Sequence, residues 1–107
     1  MTPVIDLGAT PAVIKRIKKG LPKSVEPAWE DLKAKLREGA RFVRPDKREV
    51  WRKAFKAIPN HRRADLPGAW RACWTIYTLD GGEHERVTVL FLGTHKEYDR
   101  LYGFATS

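Results

Sequence analysis

Trp70-Arg71-Ala72-Cys73-Trp74-Thr75-Ile76-Tyr77-Thr78-Leu79 decides the fold. Its aromatic and β-branched side chains suit a pleated, half-buried surface, so the stretch predicts a strand. Asp80-Gly81-Gly82 then supplies the residues that turn a chain back on itself. Arg86 to Thr94 is apolar at both parities, the pattern of a strand in the middle of a sheet. Upstream, His61 to Leu66 predicts a short polar strand, and Pro67-Gly68 turns it into the long one. The second half of the chain is therefore expected to be an antiparallel meander.

Toward the N-terminus the period changes. Thr10 followed by Pro11 is a helix start, a hydroxyl cap and then a residue whose missing N–H is not needed. Val13, Ile14 and Ile17 mark one face of this basic helix, which Gly20 and Pro22 stop. Ser24 opens a second helix in which Ala28, Trp29, Leu32 and Leu36 recur at helical spacing. Asp31 precedes Lys35 by four residues on its outer face, and Gly39 ends it. Residues Gly20 to Lys23 join the two helices into a hairpin with one shared apolar side. Val4 to Leu7 is a candidate first strand. From Arg41 to Lys56 a short helix is expected from Val50, Trp51, Ala54, Phe55 and Ile58, although Trp51, Lys53 and Phe55 also alternate as in a strand. The fold class is α+β: one domain over residues 1–107, with helices on one face of a sheet.

The bulk properties bound the function. Of 107 residues, 42 % are hydrophobic and 32 % charged, which excludes a disordered tail. No apolar run nears the roughly 20 residues of a membrane helix. Met1 to Gly8 lacks the pattern of a signal peptide. A single cysteine, Cys73, forms no internal disulfide, so a reducing cytoplasm is expected. The net charge of +8 favours a polyanionic partner, either nucleic acid, a ribonucleoprotein or an acidic protein, and is also compatible with solubility alone.

Strand alternation sorts candidate chemistry by face. Trp70, Ala72, Trp74 and Ile76 share the face expected beneath the helices. Arg71, Cys73, Thr75 and Tyr77 share the other, where the sheet is expected to be open. Arg71 there is either an anion-binding cation or a charge snorkelling at a sheet edge. Arg63 on the preceding strand is expected nearby. Between Arg41 and Arg71 ten basic residues face three acidic ones, with Trp51 and Trp70 among them. Such a run can neutralise phosphates and stack bases, or be a solvated face. His95-Lys96-Glu97-Tyr98-Asp99-Arg100 directly follows a buried strand, where a rigid scaffold can present proton-transfer groups. Equally, Tyr98, Leu101 and Tyr102 can be a helical cap over the core. His61, His84 and His95 lack metal-ligand spacing, no phosphate-binding glycine loop occurs, and Cys73 is expected to be a buried thiol. Neither metal nor cofactor is therefore expected.

Four stretches together carry a family likeness. They are Ile58-Pro59, Arg63 to Arg71 with its Leu-Pro-Gly-x-Trp-Arg turn, Trp74 to Thr78, and Val89 to Arg100 with its His-Lys-x-Tyr run. In order and spacing they resemble the RelE/ParE superfamily of bacterial and archaeal toxins, over about half of the chain. The resemblance implies a curved, mainly antiparallel four-stranded sheet under an N-terminal helix pair, and a cognate antitoxin as partner. For the RelE branch it implies metal-independent cutting of mRNA in the ribosomal decoding site. It places Arg71 on the scissile phosphate, with His95, Lys96 and Tyr98 as acid–base and positioning groups. Tyr98 is expected to stack a base or orient the phosphate. Asp65 departs from the pattern, standing where that branch has a basic residue; His61 or Lys96 are alternative bases.

The expected function is thus that of a ribosome-dependent mRNA endoribonuclease, a cytoplasmic toxin contacting RNA through Arg52, Lys53, Lys56, His61, Arg62 and Arg63. The alternatives are a non-enzymatic toxin that binds DNA gyrase, as in the ParE branch, and a basic nucleic-acid-binding domain.

Overall fold

The computed structural model describes residues 4–39 and 60–102. The elements run β1 (Val4–Ala9), α1 (Pro11–Lys18), α2 (Val25–Arg37), β2 (Arg62–Leu66), β3 (Trp70–Leu79), a 3-10 turn (Asp80–Gly82), β4 (His84–Thr94) and α3 (His95–Tyr102). The expected helix between Arg41 and Lys56 lies outside the described residues. The architecture is α+β, with an open, mixed sheet of four strands in the order β1-β4-β3-β2.

Both N-terminal helices begin and end near the expected residues, by partly different means. Thr10 caps α1, its hydroxyl accepting from Val13 N–H at 3.5 Å, and Pro11 takes the first position. Ser24 precedes α2 with helical backbone and an uninvolved hydroxyl; Val25 and Glu26 donate to the Pro22 carbonyl at 2.9 and 3.0 Å. Gly20 and Gly39 follow the two helices at φ +95 and +94, a region costly for residues with a Cβ. Val13 is buried, whereas Ile14 is exposed and Ile17 only partly covered, so the apolar stripe of α1 is narrower than its sequence predicts. In α2 the buried residues Val25, Trp29, Leu32 and Leu36 follow helical spacing. The Asp31–Lys35 pair forms at 2.9 Å on an exposed surface, where such pairs add little.

The meander forms as expected. β2 pairs antiparallel with β3, and β3 with β4. Trp70, Ala72, Trp74 and Ile76 of β3 join Val87, Val89 and Leu92 of β4, Leu66 of β2 and the buried residues of α1 and α2 in one core. β1 departs from the meander: it runs parallel to β4, from Val4 opposite His84 to Ala9 opposite Val89, which makes the sheet mixed. The helices between β1 and the meander give the chain the crossover that a parallel pair requires.

The β3–β4 register contains one irregularity. Cys73 pairs with Phe91 and Trp74 with Val89, so Leu90 has no counterpart on β3. This bulge changes the parity of β4. Before it, Val87 and Val89 reach the core; after it, Leu92 does, while Phe91 turns to the face shared by Arg71 and Cys73.

Candidate functional site

The face of β3 expected to be open is closed along most of its length and open at Tyr77, which is exposed. Arg71, Cys73 and Thr75 are all buried, and so is Tyr98 of α3. The Tyr98 ring meets the Phe91 ring edge-on, with centroids 5.9 Å apart. The covering helix starts immediately after β4 because Thr94 and Glu97 form a capping box: Glu97 N–H donates to Thr94 Oγ1 at 3.2 Å and Thr94 N–H to Glu97 Oε1 at 3.0 Å. The same carboxylate accepts both ends of the Arg16 guanidinium, at 2.7 and 3.0 Å. Arg16 in turn lies over the Trp70 ring, 4.7 Å from its centroid. Burial alone would raise the Glu97 carboxyl, but the Thr94 N–H and the Arg16 fork outweigh it and hold it below the usual carboxylate range.

At the start of α3, His95 N–H donates to the Ala69 carbonyl at 2.8 Å. Ala69 and Gly68 are both left-handed, at φ +58 and +69, so the tight β2–β3 turn offers this carbonyl to the helix. The His95 ring thereby reaches Arg71, whose Nη2 contacts His95 Nε2. Guanidinium only donates, so a hydrogen bond here needs Nε2 as the acceptor, which the tautomer with its proton on Nδ1 provides. Arg71 Nε donates to Asp65 Oδ1 at 3.0 Å, the two residues standing directly opposite each other on β3 and β2. Its guanidinium also lies over the Tyr98 ring, 4.5 Å from the centroid. On the third side Arg71 pairs with Gly93, where a Cβ would lie 2.9 Å from the Phe91 ring and 3.0 Å from Glu97 Oε1.

Arg71, His95 and Tyr98 are therefore brought together, and the charge of Arg63 on β2 also bears on the Tyr98 phenol. Lys96 is exposed on α3, beside His95 in sequence. Tyr98 is covered at 1 % exposure, so its ring supports Arg71 and is closed to a stacked base. Burial first, then the Cys73 thiol, push its phenol up to about 12, against the pull of Arg71 and Arg63. That hydroxyl holds its proton throughout the neutral range. His61 is 2 % exposed, buried just ahead of β2, which closes the ring to a nucleic-acid chain on the surface. Arg62 and Arg63 are half-buried on β2, while Arg52, Lys53 and Lys56 lie outside the described residues. His84, expected in the hairpin turn, is the first residue of β4, its Nδ1 3.0 Å from Asp80. Among the described residues, no group of three or more His, Cys, Asp and Glu is placed to hold a metal ion, and no helix is long and apolar enough to cross a membrane.

Three residues around the cluster were not read as functional from the sequence. Thr94 and Glu97 carry a visible signal, the Thr-x-x-Glu spacing of a capping box. Arg16 has none, being 81 residues from its partner. No family model, curated protein or solved structure matches the chain.

Proposed function

We propose that this chain is the toxin of a type II toxin–antitoxin pair of the RelE/ParE superfamily, a ribosome-dependent mRNA endoribonuclease acting in the cytoplasm. The observation that carries the reading is the contact of Arg71 with the His95 ring at the end of the central strands. Cutting RNA through its own 2′-hydroxyl needs three things: that oxygen's proton removed, the pentavalent phosphorus stabilised, and the departing 5′-oxygen protonated. Arg71 supplies a fork matched to phosphate oxygens. Once the guanidinium turns to the phosphate and frees Nε2 of His95, that nitrogen takes the 2′-hydroxyl proton as the new P–O bond forms and returns one as the P–O5′ bond breaks. A 2′,3′-cyclic phosphate and a free 5′-hydroxyl result. Tyr98 acts on Arg71, holding the guanidinium by its ring face. The helix pair packed on one face of a curved sheet belongs to the same reading, supported by the core that α1 and α2 share with β3 and β4. The partners are a cognate antitoxin, the ribosome and mRNA, and the ribosome supplies the substrate geometry.

The test is induced expression in a growing bacterium, with primer extension across abundant mRNAs, beside Arg71→Ala. In-frame cuts within translated regions, lost in the variant, are expected. Growth arrest without cuts would overturn the enzyme in favour of a toxin that binds gyrase or another target. Intact growth combined with salt-sensitive RNA binding would favour a nucleic-acid-binding domain.

A further inference from the structure

We propose that Asp65 is an internal occupant of the Arg71 anion site, its carboxylate holding the guanidinium edge that a phosphate group of RNA must take. The inference rests on reading this cluster as a site for RNA phosphate. Three observations carry it. Asp65 and Arg71 are direct cross-strand partners, so their side chains leave the sheet on the same face. The guanidinium is held by His95 at Nη2, by Tyr98 on a ring face and by Asp65 at Nε. Exposure differs sharply across the ion pair: the Arg71 side chain is 10 % exposed and the Asp65 side chain 65 %.

The asymmetry gives the pair its meaning. A cation this deeply covered is costly to leave alone, so some anion must accompany it in the empty site. A carboxylate this exposed is weakly held and returns to water readily. Carboxylate and phosphate oxygens present the same acceptors to a guanidinium. Substrate binding is then an exchange, in which Asp65 turns to solvent and a phosphate oxygen takes its place at Nε. Tyr98 need not move. Asp65 thus keeps Arg71 oriented between turnovers and raises the threshold an incoming anion must pass. A phosphodiester already fixed in place passes it more easily than a free one.

Inorganic phosphate is the probe, titrated at constant ionic strength into the full chain and followed by magnetic resonance. Asp65→Asn keeps the shape of the side chain and removes its charge. It is expected to bind phosphate about tenfold more tightly than the unaltered chain, with Asp65→Glu returning the affinity toward the original. Equal or weaker binding by a folded Asp65→Asn chain would overturn the proposal. Should that variant fail to fold, the unaltered chain decides. The Arg71 Nε–H resonance must move together with the Asp65 carboxyl carbon, and a phosphate-dependent shift that leaves this carbon unmoved overturns it. Tighter phosphate binding without ribosomal cleavage would uphold the exchange and remove the nuclease reading. Cleavage with unchanged phosphate affinity would do the reverse.

Discussion

Arg16 and Glu97, 81 residues apart, meet in a two-pronged ion pair at 2.7 and 3.0 Å, and Glu97 also closes the capping box of α3. One carboxylate therefore anchors the helix whose first residue, His95, touches Arg71. Glu97→Ala should lower stability by about 1–2 kcal/mol, the loss of a cap plus a half-exposed pair. Arg16→Ala should cost less, because the capping box survives it. Thermal unfolding of both variants and of the double mutant measures the coupling, which is absent if the pair is incidental.

The same carboxylate sets an acid limit. Its folded-state value is depressed, so its stabilisation is present above the ordinary carboxylate range and is lost as pH falls through the folded value. Unfolding temperatures measured across the acid range should fall less steeply in Glu97→Gln than in the unaltered chain. Parallel profiles would show that Glu97 contributes nothing to acid sensitivity.

Tyr98 sets an alkaline one. With its phenol raised to about 12, the protonated form is favoured by the fold. Its contribution is complete below the unfolded value near 10 and disappears as pH rises toward 12. Phenolate absorbance should show a late step near 12 that Tyr98→Phe lacks. Retention of that step in the variant would assign it to another tyrosine.

Arg71 should be separable from the fold. Its removal frees an exposed carboxylate, Asp65, which water solvates at little cost. Arg71→Ala is therefore expected to keep its circular dichroism spectrum and, under the proposed function, to keep binding an antitoxin while losing about 10²–10³-fold in cleavage. Arg71→Lys should not restore activity, since an ammonium lacks the fork. An unfolded Arg71→Ala chain would make the residue structural instead.

Gly93 is closely packed beside the cluster. A methyl group there would press on the Phe91 ring and on Glu97, and Phe91 is itself wedged against Tyr98. Gly93→Ala should cost about 1–3 kcal/mol by overpacking. A denaturant midpoint equal to that of the unaltered chain would show that the ring gives way freely.

Much of the architecture was legible because its signals are local. The two faces of β3, the Thr10-Pro11 start of α1 and the glycine after each N-terminal helix are all consequences of residues a few positions apart. β1 as a parallel neighbour of β4 was not legible, since a six-residue edge strand carries no mark of which strand it joins. The Leu90 bulge was hidden because β4 is apolar at both parities, so a change of phase leaves no trace in its pattern. In the candidate site, Arg71, His95 and Tyr98 were legible as members. Their arrangement was not, because the burial of Tyr98 follows from how α3 folds back over β3. Asp65 read as a departure; opposite Arg71 it is a partner.

The unpaired Leu90 makes the site depend on counting as much as on chemistry. Odd-numbered residues of β4 serve the core up to Val89, and an even-numbered one, Leu92, serves it afterward. Deleting Leu90 would leave every other side chain of the strand chemically intact. It would also close the bulge and keep Gly93 opposite Arg71, whereas pairing straight through with Leu90 in place would set Leu92 opposite the guanidinium instead. The reading frame of one strand, held by a single supernumerary leucine, decides which residues stand beside the arginine.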